Sequence, residues 1–325
     1  MFRHPWWLRN RHAHTVYAAL RGRFGPVPRW RRERWDAPDS DFIDVDFLDA
    51  GPGHGPGSTP MVVLFHGLEG GSASHYAVAF ARAAKSLGWR LAVPHFRGCS
   101  GEINRLPRAY HSGDSAEIDW VLPRMRDSLA ADPLYALGIS LGGNALLKWL
   151  GESGAAARRV VAAAAAVSAP LDLRIAGDAL GSGFNRVYTR MFLATLKAKG
   201  EAKLARHPGI FDAVAMRRSR TLRDFDNAVT APLHGFRDTD DYWTRASALP
   251  WLPQIRVPTL ILNARDDPFV PPAALPDPAT LPECVTAEFP ARGGHVGFVS
   301  GRFPGRLDWL PERVFRHFAA HLPQG

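Results

Sequence analysis

Short apolar runs alternate with longer segments of helical spacing along most of the chain. Residues 61–65 are an unbroken apolar run, the mark of a strand buried on both faces. Over 74–87, Tyr76, Phe80, Ala83, Ala84 and Leu87 fall on one helical face, and Gly88 ends the segment. Residues 90–93 read as the next strand. Residues 113–130 read as a helix, with Ile118, Val121, Leu122, Met125 and Leu129 on one side and Pro123 placed to kink it. Strands over 134–139, 160–167, 259–262 and 284–289 follow, with helices over 142–150 and 310–321. An early strand over 41–49 precedes a turn-rich stretch at 51–59. This alternation predicts an α/β fold: a mostly parallel central sheet flanked by helices. Such sheets bind ligands at the carboxyl ends of their strands.

The alternation breaks once. Residues 168–254 show no clear strand, and 185–199 and 222–227 have helical spacing. An insertion between two core strands is expected to be a helical lid. The expected organisation is therefore an N-terminal arm over 1–40, a core over 41–172 and 252–325, and a lid over 173–251.

Four motifs sit where such a sheet presents chemistry. Gly138-Ile139-Ser140-Leu141-Gly142 follows a buried strand and opens a helix. A nucleophile on so sharp a turn needs neighbours without side chains, and Gly138 and Gly142 meet that need. His66-Gly67-Leu68-Glu69-Gly70-Gly71 follows the 61–65 strand. The N–H groups of Leu68 and Leu141 are the expected oxyanion donors, with His66 structural. Asp266-Asp267-Pro268-Phe269 follows the 259–262 strand. Asp267 is the expected acid, because the following proline favours an extended backbone there. His295 lies on the glycine-lined loop 293–297. The order Ser140, Asp267, His295 is that of the α/β hydrolases and differs from the two common protease orders.

Composition narrows the rest. Hydrophobic residues are 46% and charged residues 22%, so disorder and coiled coil are excluded. No apolar run reaches membrane-span length, and 1–10 lacks the pattern of a signal peptide. Two cysteines, Cys99 and Cys284, exclude a disulfide framework and fit a cytoplasmic protein. Cys99 has no base beside it in sequence and is expected to be buried and inert. No metal, phosphate or dinucleotide motif is present, so no cofactor is expected. The net charge of +9 is concentrated: residues 1–35 hold nine arginines and one acid, Glu33. With Trp6, Trp7, Trp30 and Trp35 among them, this arm is expected to pack through its tryptophans and solvate its arginines. Weak contact with an anionic membrane is its second expected role, and no nucleic-acid motif accompanies it.

The chain resembles the YheT-like α/β-hydrolases, a bacterial group related to the eukaryotic abhydrolase-domain types 1 to 3. The resemblance runs nearly end to end. It rests on Asn10-Arg11-His12 with Thr15, the His66 to Gly70 motif, and Phe96-Arg97-Gly98-Cys99-Ser100-Gly101-Glu102 with Asn104-Arg105. Tyr110-His111-Ser112-Gly113, the Ser140 elbow with Gly143-Asn144, Tyr242-Trp243 with Ser247, and Asp266 to Phe269 complete it. It implies a carboxylesterase or lipase-like serine hydrolase without naming a substrate; small or lipid-like acyl esters are the expected ones. It also implies that the acid directly precedes the Pro268-Phe269 pair. Arg97, His111 and Asp114 either bind a polar substrate group or are held by their own loop. An acyltransferase using the same triad, and a non-catalytic ligand-binding protein, are the alternatives.

Overall fold

The computed structural model describes residues 2–22, 27–50, 59–129 and 133–322. The apolar runs become the middle of one eight-stranded sheet. Its strands are β1 (Arg31–Asp36), β2 (Phe42–Leu48), β3 (Met61–Phe65), β4 (Arg90–Pro94), β5 (Leu134–Ile139), β6 (Ala163–Val167), β7 (Thr259–Leu262) and β8 (Val285–Glu288). Their spatial order is β1-β2-β4-β3-β5-β6-β7-β8. Every pairing from β4 to β8 is parallel, while β2 runs antiparallel to both β1 and β4. The helices are α1 (Arg11–Arg21), α2 (His75–Leu87), α3 (Ser115–Asp127), α4 (Leu141–Ser153), α5 (Leu173–Leu180), α6 (Arg186–Arg206), α7 (Ala213–Arg218), α8 (Leu222–Phe225), α9 (Ala231–Leu233), α10 (Thr239–Ala246) and α11 (Trp309–Ala319).

Two apolar layers result, one on each face of the sheet. Ile118, Val121, Leu122 and Met125 of α3 and Leu146, Leu147 and Leu150 of α4 fill one layer. Phe80, Ala81 and Ala84 of α2 and Val314, Phe315 and Phe318 of α11 fill the other. Covered on both sides, β3, β5, β6 and β7 bury every residue, which is why they read as unbroken apolar runs. No helix among the described residues is long and apolar enough to cross a membrane.

The N-terminal segment departs from expectation. Residues 31–36 form an edge strand, β1, rather than a free arm; its arginines stay partly exposed, yet Arg32 and Arg34 pair across the strands with Asp46 and Asp44. Both aspartates are buried, so the arginines neutralise charges that the sheet would otherwise leave uncompensated. Trp35 is buried, whereas Trp6 is 79% exposed and anchors nothing. The turn-rich stretch at 51–59 lies outside the described residues, save Thr59; the helix expected over 113–130 is α3, which ends at Asp127, and Ala130 itself lies outside the described residues.

Between β6 and β7 the chain forms α5 to α10, with a single π-helical turn at Asp226–Thr230. Asn144 of α4 ties this insertion to the helix that follows Ser140. Its Nδ2 donates to the carbonyls of Ser112 and Ala246, and its Oδ1 accepts from Ala248 N–H.

Five histidines are held neutral by burial. His66 is pushed down to about 3, and His14, His75, His111 and His317 to about 4. In the unfolded chain they take up protons near the ordinary value of 6.5. Their contribution to stability is therefore present above pH 6.5 and lost as pH falls towards about 4. Urea titrations at pH 7 and pH 5 should show a lower midpoint at pH 5, with little change between pH 7 and pH 8.

Candidate active site

Ser140 sits between β5 and α4 with φ 52° and ψ −118°, a backbone region unfavourable to a side chain. The turn is possible only because its neighbours lack Cβ atoms. A Cβ on Gly142 would lie 2.4 Å from the Phe65 carbonyl oxygen, and one on Gly138 2.5 Å from that of Gly142. Packed this closely, the elbow lifts Ser140 Oγ above the sheet edge. Its N–H donates to the Val167 carbonyl at 2.8 Å, anchoring it to β6.

His295 and Asp267 meet it there. His295 Nδ1 donates to Asp267 Oδ2 at 2.9 Å, which leaves Nε2 to accept from Ser140 Oγ at 3.0 Å. Asp267 is fully buried, and its Oδ1 also accepts from the N–H groups of Phe269 and Val270. These bonds hold the carboxylate in place against the imidazole. The Phe269 ring lies 4.3 Å from the His295 ring and closes one side of it. Asp266 points elsewhere: its Oδ1 accepts from Gly294 N–H and holds the histidine loop.

Leu68 and Leu141 line the cavity beside Ser140, and among the described residues neither N–H has an acceptor. The Leu68 loop is braced from behind. Glu69, at φ 56°, donates its N–H to Tyr110 Oη, and that hydroxyl donates to Glu69 Oε1 at 2.6 Å. Lys199 of α6 donates to the same carboxylate at 2.7 Å, tying the insertion to this loop. His66 is structural. Its Nδ1 bonds the Gly67 carbonyl and its Nε2 accepts from Phe96 N–H.

Cys99 also receives Lys199 Nζ, at 3.2 Å, and burial pushes its thiol up to about 11. His95 bonds the Cys99 carbonyl rather than its sulfur, and a protonated thiol with no base on its sulfur is not a nucleophile. Arg97 is spent on Glu117, Asp41 and Asp39, and Asp114 on Arg108. His111 is packed by the rings of His234, Phe236 and Tyr242. Arg97 and His111 nonetheless reach the wall of a second cavity.

Two cavities meet at this point. One contains Ser140 and His295 and is walled by Leu173, Leu180, Phe192 and Trp243. The other is walled by Leu196, Phe211, Phe225, Val229 and Tyr242. Leu68, Ser112, Leu141, Leu222 and Asp226 line both. Asp226, on the π-helical turn, accepts from Thr230 Oγ1 and Trp243 Nε1, and burial raises its carboxyl to about 6.

A family model described as the alpha/beta hydrolase fold matches residues 60–301, which include Ser140, Asp267 and His295. The chain belongs to the α/β-hydrolase family. Among relatives of this α/β hydrolase, YheT of Escherichia coli (strain K12), named as an esterase, is 39% identical over 94% of this chain and 89% of its own. Phospholipase ABHD3 of Mus musculus is 30% identical over 90% of this chain and 72% of its own. The monoacylglycerol lipase of Saccharomyces cerevisiae is 28% identical over 88% and 62%. Est1E of Butyrivibrio proteoclasticus, solved with ferulic acid, shares the fold at a TM-score of 0.60 and 14% identity, over 89% of this chain and 98% of its own. The hydrolase is thus of the esterase and lipase kind.

One set of contacts escaped sequence reasoning. The histidine loop is held by α1. Thr15 Oγ1 accepts from His295 N–H at 2.9 Å while donating to the Arg11 carbonyl. His14 Nε2 accepts from Val299 N–H. Thr15 was visible only as part of a motif without a partner. On the opposite side Ser168, itself at φ 51°, accepts from Val296 N–H.

Proposed function

We propose that this hydrolase cleaves carboxylic esters through an acyl-enzyme, with Ser140 as nucleophile, His295 as general base and acid, and Asp267 as orienting acid. The observation that carries the reading is the unbroken hydrogen-bond chain from Asp267 through His295 to Ser140, ending in a largely apolar cavity. As Ser140 Oγ attacks the ester carbonyl, its proton passes to His295 Nε2. Asp267 stabilises the imidazolium, and the Leu68 and Leu141 N–H groups receive the negative charge on the carbonyl oxygen. His295 then gives its proton to the leaving alcohol. Water, deprotonated by the same nitrogen, releases the acid.

The insertion over 173–251 serves as the lid in this reading, since it supplies most of the apolar wall of both cavities. The substrate is an ester with a short to medium acyl chain or a lipid-like one. Two free thiols fit a cytoplasmic setting.

An acyl-length series of p-nitrophenyl esters tests this. Each methylene that enters an apolar cavity contributes about 0.8 kcal/mol, roughly fourfold in kcat/KM. Specificity should therefore climb from acetate through the medium chains before levelling off. Hydrolysis confined to acetate, or none with any ester, would refute the reading.

A further inference from the structure

The outer surface of α1 is apolar, although the segment around it is the most basic of the chain. Val16 and Leu20 lie one and two turns on from His12 along one stripe, and both are exposed. His12 meets the ring of Phe184 at 4.5 Å. Phe184, 57% exposed, begins a second stripe that continues along α6 through Val187 and Met191, the latter 66% exposed. On the far side of α1, Tyr17 packs on Trp7, and Trp7 on Phe303, itself 73% exposed. Six of the eleven exposed large apolar side chains of the described residues thus lie on α1 or on the segments around it, a concentration that a soluble surface normally avoids.

The charge around this patch has one sign. Residues 1–32, 179–200 and 297–307 contain no aspartate or glutamate. Arg3, Arg9, Arg186, Arg190 and Arg302 are exposed, and among the described residues none of them pairs with a carboxylate. Apolar stripes rimmed by unpaired arginines match a bilayer surface, where the stripes enter the acyl boundary and the arginines meet lipid phosphates.

We propose that this face docks on an anionic phospholipid bilayer. Nucleic acid would engage the arginines but leave the apolar stripes in water, and a second copy of the chain would oppose arginine to arginine. The surface also lies against the site. Phe192 of α6 walls the Ser140 cavity, and Tyr188 packs on Phe269, which packs on His295. A docked molecule therefore holds that cavity close to the lipid. Only this last consequence rests on the ester reading; docking itself does not.

Flotation with phosphatidylglycerol–phosphatidylcholine vesicles, and with phosphatidylcholine alone, tests docking without any activity measurement. Binding should favour the anionic vesicles and weaken between 50 and about 500 mM salt. Replacing Val16→Ser, Leu20→Ser and Met191→Ser together should lower vesicle binding at least about tenfold. Arg186→Gln with Arg190→Gln should remove much of the salt dependence. The melting temperature and the turnover of a water-soluble short ester should stay at the wild-type level in these variants, which separates lost docking from lost folding. Equal binding to neutral vesicles, no binding at low salt, or a dimer in solution that the triple variant dissolves would each overturn the proposal. If docking holds and no ester is cleaved, the ester reading fails alone.

Discussion

Ser140→Ala should lower ester turnover by roughly 10⁴–10⁶-fold, the loss that follows when the nucleophile of such a triad is removed. The size of the effect comes from the unit, not from one contact. Without Oγ, His295 Nε2 has no proton to take, and the Asp267 bond that orients it orients nothing. The substitution should not unfold the protein. Ser140 Oγ bonds only His295 among the described residues, while its backbone anchor to Val167 remains. A fluorophosphonate probe should label the wild type at Ser140 and leave the variant unlabelled. Full activity in the variant, or labelling at another residue, would remove Ser140 from its role.

The second large effect separates two adjacent carboxylates. Asp267→Asn should lose turnover by about 10⁴-fold. An asparagine here can keep its oxygen on the Phe269 and Val270 N–H groups. Its NH₂ then faces His295 Nδ1, which must accept rather than donate. The imidazole proton moves to Nε2, where it cannot receive the Ser140 proton. Asp266→Ala should behave differently. It strips the acceptor from Gly294 N–H and should cost about 1–3 kcal/mol of stability. Its turnover should fall far less, because His295 keeps both Asp267 and the Thr15 bond. Turnover and melting temperature of both variants decide the matter, and the reverse pattern would transfer the acid role to Asp266.

The elements legible in the chain were those whose burial is local and symmetric. β3, β5, β6 and β7 lie under helices on both faces, so their apolar runs identify them without knowledge of the partner. The elbow was legible because its geometry forbids side chains at Gly138 and Gly142, a demand that leaves a mark in sequence. β1 left no such mark. As an edge strand carrying Arg31, Arg32, Glu33 and Arg34, it joins the sheet through cross-strand charge pairs with β2, and its composition is that of a solvated arm. The alternation of Asp44 and Asp46 with Ile43, Val45 and Phe47 marked β2 as two-sided, but did not say that arginines would cover its polar face. α1 was hidden for a further reason. Its buried residues, His14, Thr15 and Ala18, are few, and two of them are polar. Their partners lie on the histidine loop, which no local pattern can reveal. The spacing over 222–227 predicts an ordinary helix and hides the π-helical turn that carries Asp226, because a one-residue change in hydrogen-bond spacing barely alters apolar periodicity.

The bond between Thr15 and His295 spans 280 residues of sequence. During synthesis, α1 leaves the ribosome long before the loop it must grip exists. Ser140 and its strand–helix turn follow, still without a base. A growing chain can therefore assemble β3, β4 and β5 before Ser140 has a base, and in the proposed mechanism its nucleophile gains reactivity only when the last loop closes onto the first helix. Closure of so long a loop carries a large entropic cost, and it comes after the local elements have formed. Proteolytic loss or displacement of α1 would undo the same step in the finished molecule, leaving a folded sheet whose histidine loop has lost its Thr15 and His14 bonds and keeps those to Ser168 and Asp266.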